Sequence, residues 1–338
     1  MGASTSSLDE VPGEPLVDSL EFSEQFLARY EPLRKIGSGA FGSAYVVRER
    51  TTNAVWCAKK INVQSQNVPQ EVQSLKKNES NAHTVTLYET VHDVARTEYY
   101  IVMEYCQGGT LKNWIRRNHR NKLLTEPVVL AMLYKICEAV QACHALHTLH
   151  RDIKPENIFL DVNGNVKLGD FGVSRQLGDQ SAARSFCGTP PYMAPELFLS
   201  YMNHIHGGPP VGYNFLSDIW SIGCVLLDMS NKFGVLLPDR KHGLGLAAAE
   251  AMNPQAGAVN MPALPDIPKL IDEEIPPSWK IVRRLLSRML CFKAEERISL
   301  LLILTDPELR RSLQYDPSAA GWHEGKNEVR RFSKMSDS

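Results

Sequence analysis

No two cysteines in this chain stand in C-x-x-C spacing, and their total is odd, seven in 338 residues. The lack of paired cysteines argues against a disulfide framework and predicts reduced thiols in an intracellular protein of the cytoplasm or nucleus. An excess of one charge sign is lacking too. The 37 basic and 38 acidic residues leave a net charge of −1, which gives no ground for expecting a nucleic-acid partner. Unbroken apolar runs are short: Lys135 and Glu250 interrupt the two best candidates, and no secretory apolar region opens the sequence. No membrane span is therefore expected.

What is present is apolar material for a sizeable core, 43% of the residues, over a length that suits two lobes or two domains. Residues 1–25 are small, acidic and proline-rich without a sustained apolar period, and are expected to form a flexible leader. Their opening, MGASTSS, fits the pattern for N-myristoylation at Gly2, with Ser6 in the required place. One myristoyl chain supports only weak membrane contact, and Asp9, Glu10 and Glu14 stand where lysines would help. An unmodified small-residue start satisfies the same short motif. The folded body is expected over 26–313, followed by a tail at 314–338. Apolar alternation over 33–49, 54–63 and 97–105 predicts antiparallel strands, and 71–77 a short helix. Beyond Gly108-Gly109 the spacing turns helical. Val129, Met132, Leu133, Ile136, Val140 and Cys143 recur every three or four residues behind Thr125 as N-cap. Residues 219–227 are apolar nearly all round, and Trp279, Val282, Leu285, Leu286 and Met289 make a further stripe. The fold class is α+β, with a strand-rich first part (about 26–105) carrying one helix and a mainly helical second part (about 106–313).

The residues able to do chemistry gather around that junction. HRDIKPEN at 150–157 supplies Asp152, Lys154 and Asn157, and Asp170-Phe171-Gly172 follows. A carboxylate for an acceptor hydroxyl, oxygen ligands for magnesium and a cation for phosphate are what phosphoryl transfer from ATP requires. IGSGAFG at 36–42 sets Gly37, Gly39 and Gly42 in G-x-G-x-x-G spacing, which lets backbone amides approach phosphates. Dinucleotide-binding folds use the same spacing but continue into a helix, whereas residues 43–48 alternate like a strand. Ala58-Lys59-Lys60-Ile61 closes the next strand.

These runs, with GTPPYMAPE at 188–196, resemble the motif set of eukaryotic protein kinases over about residues 26–313, and Lys154 two residues after Asp152 resembles the serine/threonine branch. The resemblance implies a bilobal kinase-like fold with an antiparallel-sheet N-lobe and a mainly helical C-lobe, and ATP and Mg2+ as cofactors. It gives Asp152 the substrate hydroxyl and its proton, Lys154 the transferring γ-phosphate, and Asn157 and Asp170 the magnesium. Lys59 is implied to hold the α- and β-phosphates, with Lys60 pointing the other way. Glu71 is implied as the helix-borne ion-pair partner of Lys59, at a separation that is short for the family. Around the nucleotide the resemblance implies Ile36 at the start of the glycine loop, Ala44 and Cys57 above the adenine and Phe159 below it. Met103 guards the back of the pocket and Glu104 to Cys106 form the hinge. Ala44 and Cys57 depart from the valine and alanine usual at those places.

Thr189 is implied to contact the catalytic loop and to favour serine or threonine acceptors. Arg151 can receive a phosphate from the activation segment, with Ser185 and then Ser181 as phosphosites for an upstream activating kinase. Glu196 and Arg297 resemble a buried ion pair, and Asp218 an anchor for the catalytic loop. The SFCGTPPYM region is loosely similar to NIMA-related kinases, while residues 204–213 and 231–272 depart from the family pattern. The expected function is a serine/threonine kinase acting on protein substrates. The alternative is a pseudokinase-like scaffold or binding module.

Overall fold

The computed structural model describes residues 18, 21–39, 42–62, 69–120, 124–176, 188–205, 214–231, 244–245 and 265–313. They fall into two compact units, one of Met1–Asn67 with Leu87–Tyr105 and the other of Val68–Thr86 with Cys106–Ser338. The expected sites Gly2, Ser181 and Ser185, most of the 204–213 and 231–272 regions, and the tail from 314 lie outside the described residues.

The first unit is a five-stranded antiparallel sheet. Its strands are β1 (Tyr30–Gly39), β2 (Gly42–Glu49), β3 (Val55–Asn62), β4 (Leu87–Asp93) and β5 (Glu98–Glu104), in the order β1-β2-β3-β5-β4. The turn between β2 and β3 places Asn53 at φ 59°, a left-handed conformation that asparagine tolerates. Alternation along the strands divides the sheet into two faces. Ala44 lies opposite Lys59, Val46 opposite Cys57, and Cys57 opposite Met103, so these five share one face. Tyr45, Val47, Ala58, Tyr100 and Val102 fill the other, where they form a core with Phe22, Phe26, Tyr30 and Val91.

That second face is covered by residues 21–27. Helix α1 (Glu24–Leu27) is capped by Ser23, whose Oγ accepts from the Phe26 amide at 3.3 Å. The Ser23 amide donates to the Tyr100 hydroxyl at 2.9 Å. Phe26 stacks on Tyr100 with ring centroids 4.1 Å apart, and Phe22 meets Tyr45 edge-on at 4.8 Å, geometries that suit the ring quadrupoles. Lys60 donates to the Glu21 carbonyl and pairs with Glu98 at 2.9 Å, and Arg96 donates to the Phe22 carbonyl. Lys60 thus serves the aromatic face and Lys59 the opposite one, as strand alternation requires. Phe22 and Ser23, which the sequence reading placed in the leader, are buried. Two rings four residues apart, one of them before a four-residue helix and one on it, make no period long enough to detect in sequence.

The second unit is built around α4 (Glu126–Ala145) and α6 (Phe215–Ser230), both buried along most of their length. By length and composition α4 could cross a membrane, but 67% of its most apolar stretch is buried inside the protein, and Lys135 reaches the Gly164 carbonyl at 3.0 Å. It is a core helix. Thr125 takes the N-cap position of α4 without a side-chain bond. Shorter elements surround the pair: α2 (Gln70–Lys77), α3 (Leu111–Arg120), α5 (Pro195–Ile205), α7 (Ile267–Glu274), α8 (Lys280–Met289), α9 (Leu300–Leu304) and α10 (Pro307–Ser312). Small antiparallel ladders complete it: β6 (Gly109–Thr110), β8 (Ile158–Leu160) and β9 (Val166–Leu168) form one, and β7 (Thr148–Leu149) with β10 (Arg175–Gln176) the other.

Candidate active site

The catalytic-loop residues 150–157 connect β7 to β8, and Asp218 of α6 holds the loop from below. Its carboxylate accepts from the backbone amides of His150 at 3.2 Å and Arg151 at 3.1 Å, and lies 2.8 Å from His144 Nε2. Burial pushes this carboxyl up, yet the His144 hydrogen bond and the neighbouring imidazole charges outweigh burial and hold it below the usual carboxylate range. The two amide bonds fix Arg151 at φ 70°, a left-handed conformation that a residue with a side chain keeps only when its surroundings dictate it.

Asp152 is gripped on both carboxylate oxygens. Oδ1 accepts from the Thr189 hydroxyl at 2.7 Å, and Oδ2 accepts from Lys154 Nζ at 2.7 Å and Asn157 Nδ2 at 2.9 Å. Lys154 Nζ also donates to Thr189 Oγ at 2.6 Å. The expected contact between Thr189 and the catalytic loop therefore exists, and it closes a ring of three side chains from two separate segments. Asn157 donates a further bond to the Asp152 carbonyl at 3.0 Å. Its amide nitrogen is thus committed to Asp152, which turns Oδ1 the other way.

The turn bearing Asp170 is tied to the same loop. The Gly169 amide donates to the Asn157 carbonyl at 3.0 Å, and His150 Nε2 donates to the Gly169 carbonyl at 3.1 Å. Asp170 sits at φ 56°, and Phe171 is buried with its ring 4.9 Å from that of His150. Gly169 has no room for a side chain, because a Cβ there would stand 2.7 Å from the Phe159 ring and 3.1 Å from a Val85 methyl. Glu71 is buried in α2 and belongs to this unit, whereas Lys59 belongs to the sheet unit.

On the sheet unit, Gly39 pairs with Gly42 at the tip of the β1–β2 hairpin. Gly42 has φ 130°, and a Cβ there would meet the Lys60 carbonyl at 2.1 Å, so this position requires glycine. Gly37 has open space around it, and Ile36 is exposed. Ala44, Cys57, Lys59 and Met103 share the face away from the aromatic core, and Glu104 ends β5. Val46 joins this face and was not singled out from sequence, although its spacing of two from Ala44 was the available signal. Cys106 begins the second segment of the second unit, its carbonyl accepting from the Gly109 amide at 3.1 Å.

Beyond Thr189, the GTPPYMAPE segment is anchored through Glu196 and Tyr192. Glu196 and Arg297 form a two-pronged pair, both N–O distances 2.7 Å, and Arg297 also donates to the carbonyls of Leu216 and Cys291 at 2.9 Å. The Tyr192 hydroxyl donates to Asp228 at 2.6 Å. Burial, then the Asp228 carboxylate, pushes this phenol far above its ordinary range.

A glycine hairpin on a five-stranded sheet, a carboxylate gripped by lysine and threonine, and an anchored segment after it define a class. The sequence profile of the protein kinase domain matches residues 30–308, and the chain belongs to that family, with its bilobal α+β fold. Among individual proteins it is similar to the serine/threonine-protein kinase Nek2 of Mus musculus, 37% identical over 213 residues, and that of Homo sapiens, 38% over 213 residues. The probable serine/threonine-protein kinase nek2 of Dictyostelium discoideum is 36% identical over 214 residues. These matches cover 59%, 59% and 60% of this chain but 46%, 45% and 48% of those proteins. The chain thus spans less than half the length of the relatives it matches.

Proposed function

We propose that this chain transfers the γ-phosphoryl group of magnesium-bound ATP to serine or threonine hydroxyls of protein substrates. The observation that carries the reading is the Asp152–Lys154–Thr189 ring, which aims a fixed carboxylate and a cation at one place. In the transfer, the acceptor oxygen bonds to the γ-phosphorus, the bond from that phosphorus to the β-bridging oxygen breaks, and the hydroxyl proton passes to Asp152 as ADP leaves. Lys154 offsets charge on the moving phosphoryl group. Thr189, bonded to both, sets their spacing and thereby favours an aliphatic hydroxyl as acceptor.

Asn157 and Asp170 fit a magnesium ion by donor chemistry, since an amide oxygen turned away from Asp152 and a carboxylate are hard oxygen ligands. When bound, the ion would neutralise phosphate charge. Lys59, on the face shared with Ala44 and Cys57, would hold the α- and β-phosphates. No observation favours the scaffold alternative. Control through the activation segment by an upstream kinase, with Arg151 receiving the phosphate, is part of the proposal, as is an intracellular setting in the cytoplasm or nucleus.

The test is transfer of labelled γ-phosphate to a generic protein substrate, comparing wild type with Asp152→Asn. Transfer by wild type alone, confined to serine and threonine, supports the reading. Equal labelling by both proteins, or none by either after treatment with activating kinases, rejects it.

A further inference from the structure

Ser74 sits in the buried face of α2 beside Glu71, Val72, Leu75 and Asn78. A hydroxyl shut away from water is costly unless it is hydrogen-bonded. Ser74 Oγ lies 2.6 Å from Ser174 Oγ, which is fully buried as well and follows the single 3-10 turn Phe171–Val173. Ser174 Oγ is also 2.8 Å from the Phe171 carbonyl oxygen. A hydroxyl has one proton, and a carbonyl can only accept. The Ser174 hydroxyl lies between Ser74 of α2 and the Phe171 carbonyl, so the two contacts link α2 to the turn that follows Asp170. One helical turn earlier, Glu71 Oε2 lies 3.7 Å from where a Cβ on Gly172 would stand, so the same face of α2 meets the same turn twice.

Apolar packing is non-directional and lets a short helix slide along its seat. A buried hydroxyl pair accepts one register only. We propose that the Ser74–Ser174 pair is the pin that registers α2 against the Asp170–Gly172 turn, which makes both serines positioning residues for phosphoryl transfer; this rests on the kinase function proposed above. Asp170, in its left-handed conformation, needs such outside support to keep its carboxylate in place.

The experiment compares Ser74→Ala, Ser174→Ala and the double variant with wild type and Asp152→Asn. It reads kcat, KM for ATP, and hydrogen exchange of the α2 amides. Each single variant should lower kcat by roughly three- to tenfold at nearly constant KM. The double variant should be no slower than the slower single one, and α2 exchange should rise in all three. Wild-type kcat with unchanged α2 exchange would overturn the pin, as would single effects that simply multiply in the double variant. If wild type fails to transfer phosphate, the kinase reading itself fails. The exchange data then stand alone, and unchanged α2 protection rejects the pin.

Discussion

Phe26→Ala should destabilise the sheet unit more than any surface change on the molecule. The ring is 0% exposed and touches three others, Tyr100 at 4.1 Å, Tyr30 at 5.0 Å and Phe22 at 5.6 Å between centroids. Truncating a buried phenylalanine to alanine costs about 3–5 kcal/mol. The upper half of that range is expected here. Four residues cannot hold a helix by propensity, so loss of the ring also loosens the Ser23–Tyr100 bond and the grip of Lys60 and Arg96 on the Glu21 and Phe22 carbonyls. At about 2–4 °C per kcal/mol for a protein of this size, Tm should fall by roughly 8–20 °C. Leu302→Ala serves as the control, since that side chain is 53% exposed and its loss should stay within about 0.5 kcal/mol. Thermal unfolding followed by circular dichroism, with urea titration as a second probe, measures both. A shift for Phe26→Ala below about 3 °C would refute the argument that residues 21–27 are structural.

Thr189→Val removes the hydroxyl shared by Asp152 and Lys154; at about 1.5–3 kcal/mol for bonds to charged groups, kcat should drop roughly 10- to 150-fold in steady-state assays, and Thr189→Ser should retain it. Arg297→Met leaves Glu196 without its two-pronged partner and should cost about 3–5 kcal/mol by urea titration, because a partly buried charge loses its pair. Arg297→Lys should rescue little of that loss, since an ammonium cannot reproduce the fork. Burial first, then the bond to Glu98, raises the Tyr100 phenol to about 12. Its stabilising contribution is therefore complete below about pH 10 and disappears as pH rises through about 12, and Tyr100→Phe should flatten that part of the urea-midpoint profile.

The strands β1, β2, β3 and β5 and the helices α2, α4, α6 and α8 were legible because each carries a period long enough to rise above chance. Strand β4 was missed, since Leu87 and Val91 alone do not make an alternation. Helix α3 was missed because its buried residues, Leu111, Trp114, Ile115 and Asn118, are outnumbered by arginine and polar positions. At the site, Asp152, Lys154, Asn157 and Asp170 were legible from their motifs, and the structure adds the bonds that tie Asp152 and Lys154 to Thr189, Asn157 to Asp152, and the Asp170 turn to the loop. What motifs could not show is which backbone groups hold them. The two amides on Asp218 and the Gly169–Asn157 bond depend on segments far apart in sequence. Ser74 was invisible as a site residue, because a lone serine in a short helix carries no pattern.

The tight fit at Gly169 also says how this chain is free to diverge. A methyl group at 169 collides with the Phe159 ring and presses on Val85, so a change at 169 alone forces both side chains to shift, and a smaller residue at 159 would relieve the closer collision. The two positions are sterically coupled, so the cost of a change at one depends on the residue at the other. A lineage that had traded Phe159 for a slimmer side chain could then fill 169 at lower cost, after which a return to phenylalanine would meet the collision that glycine now avoids.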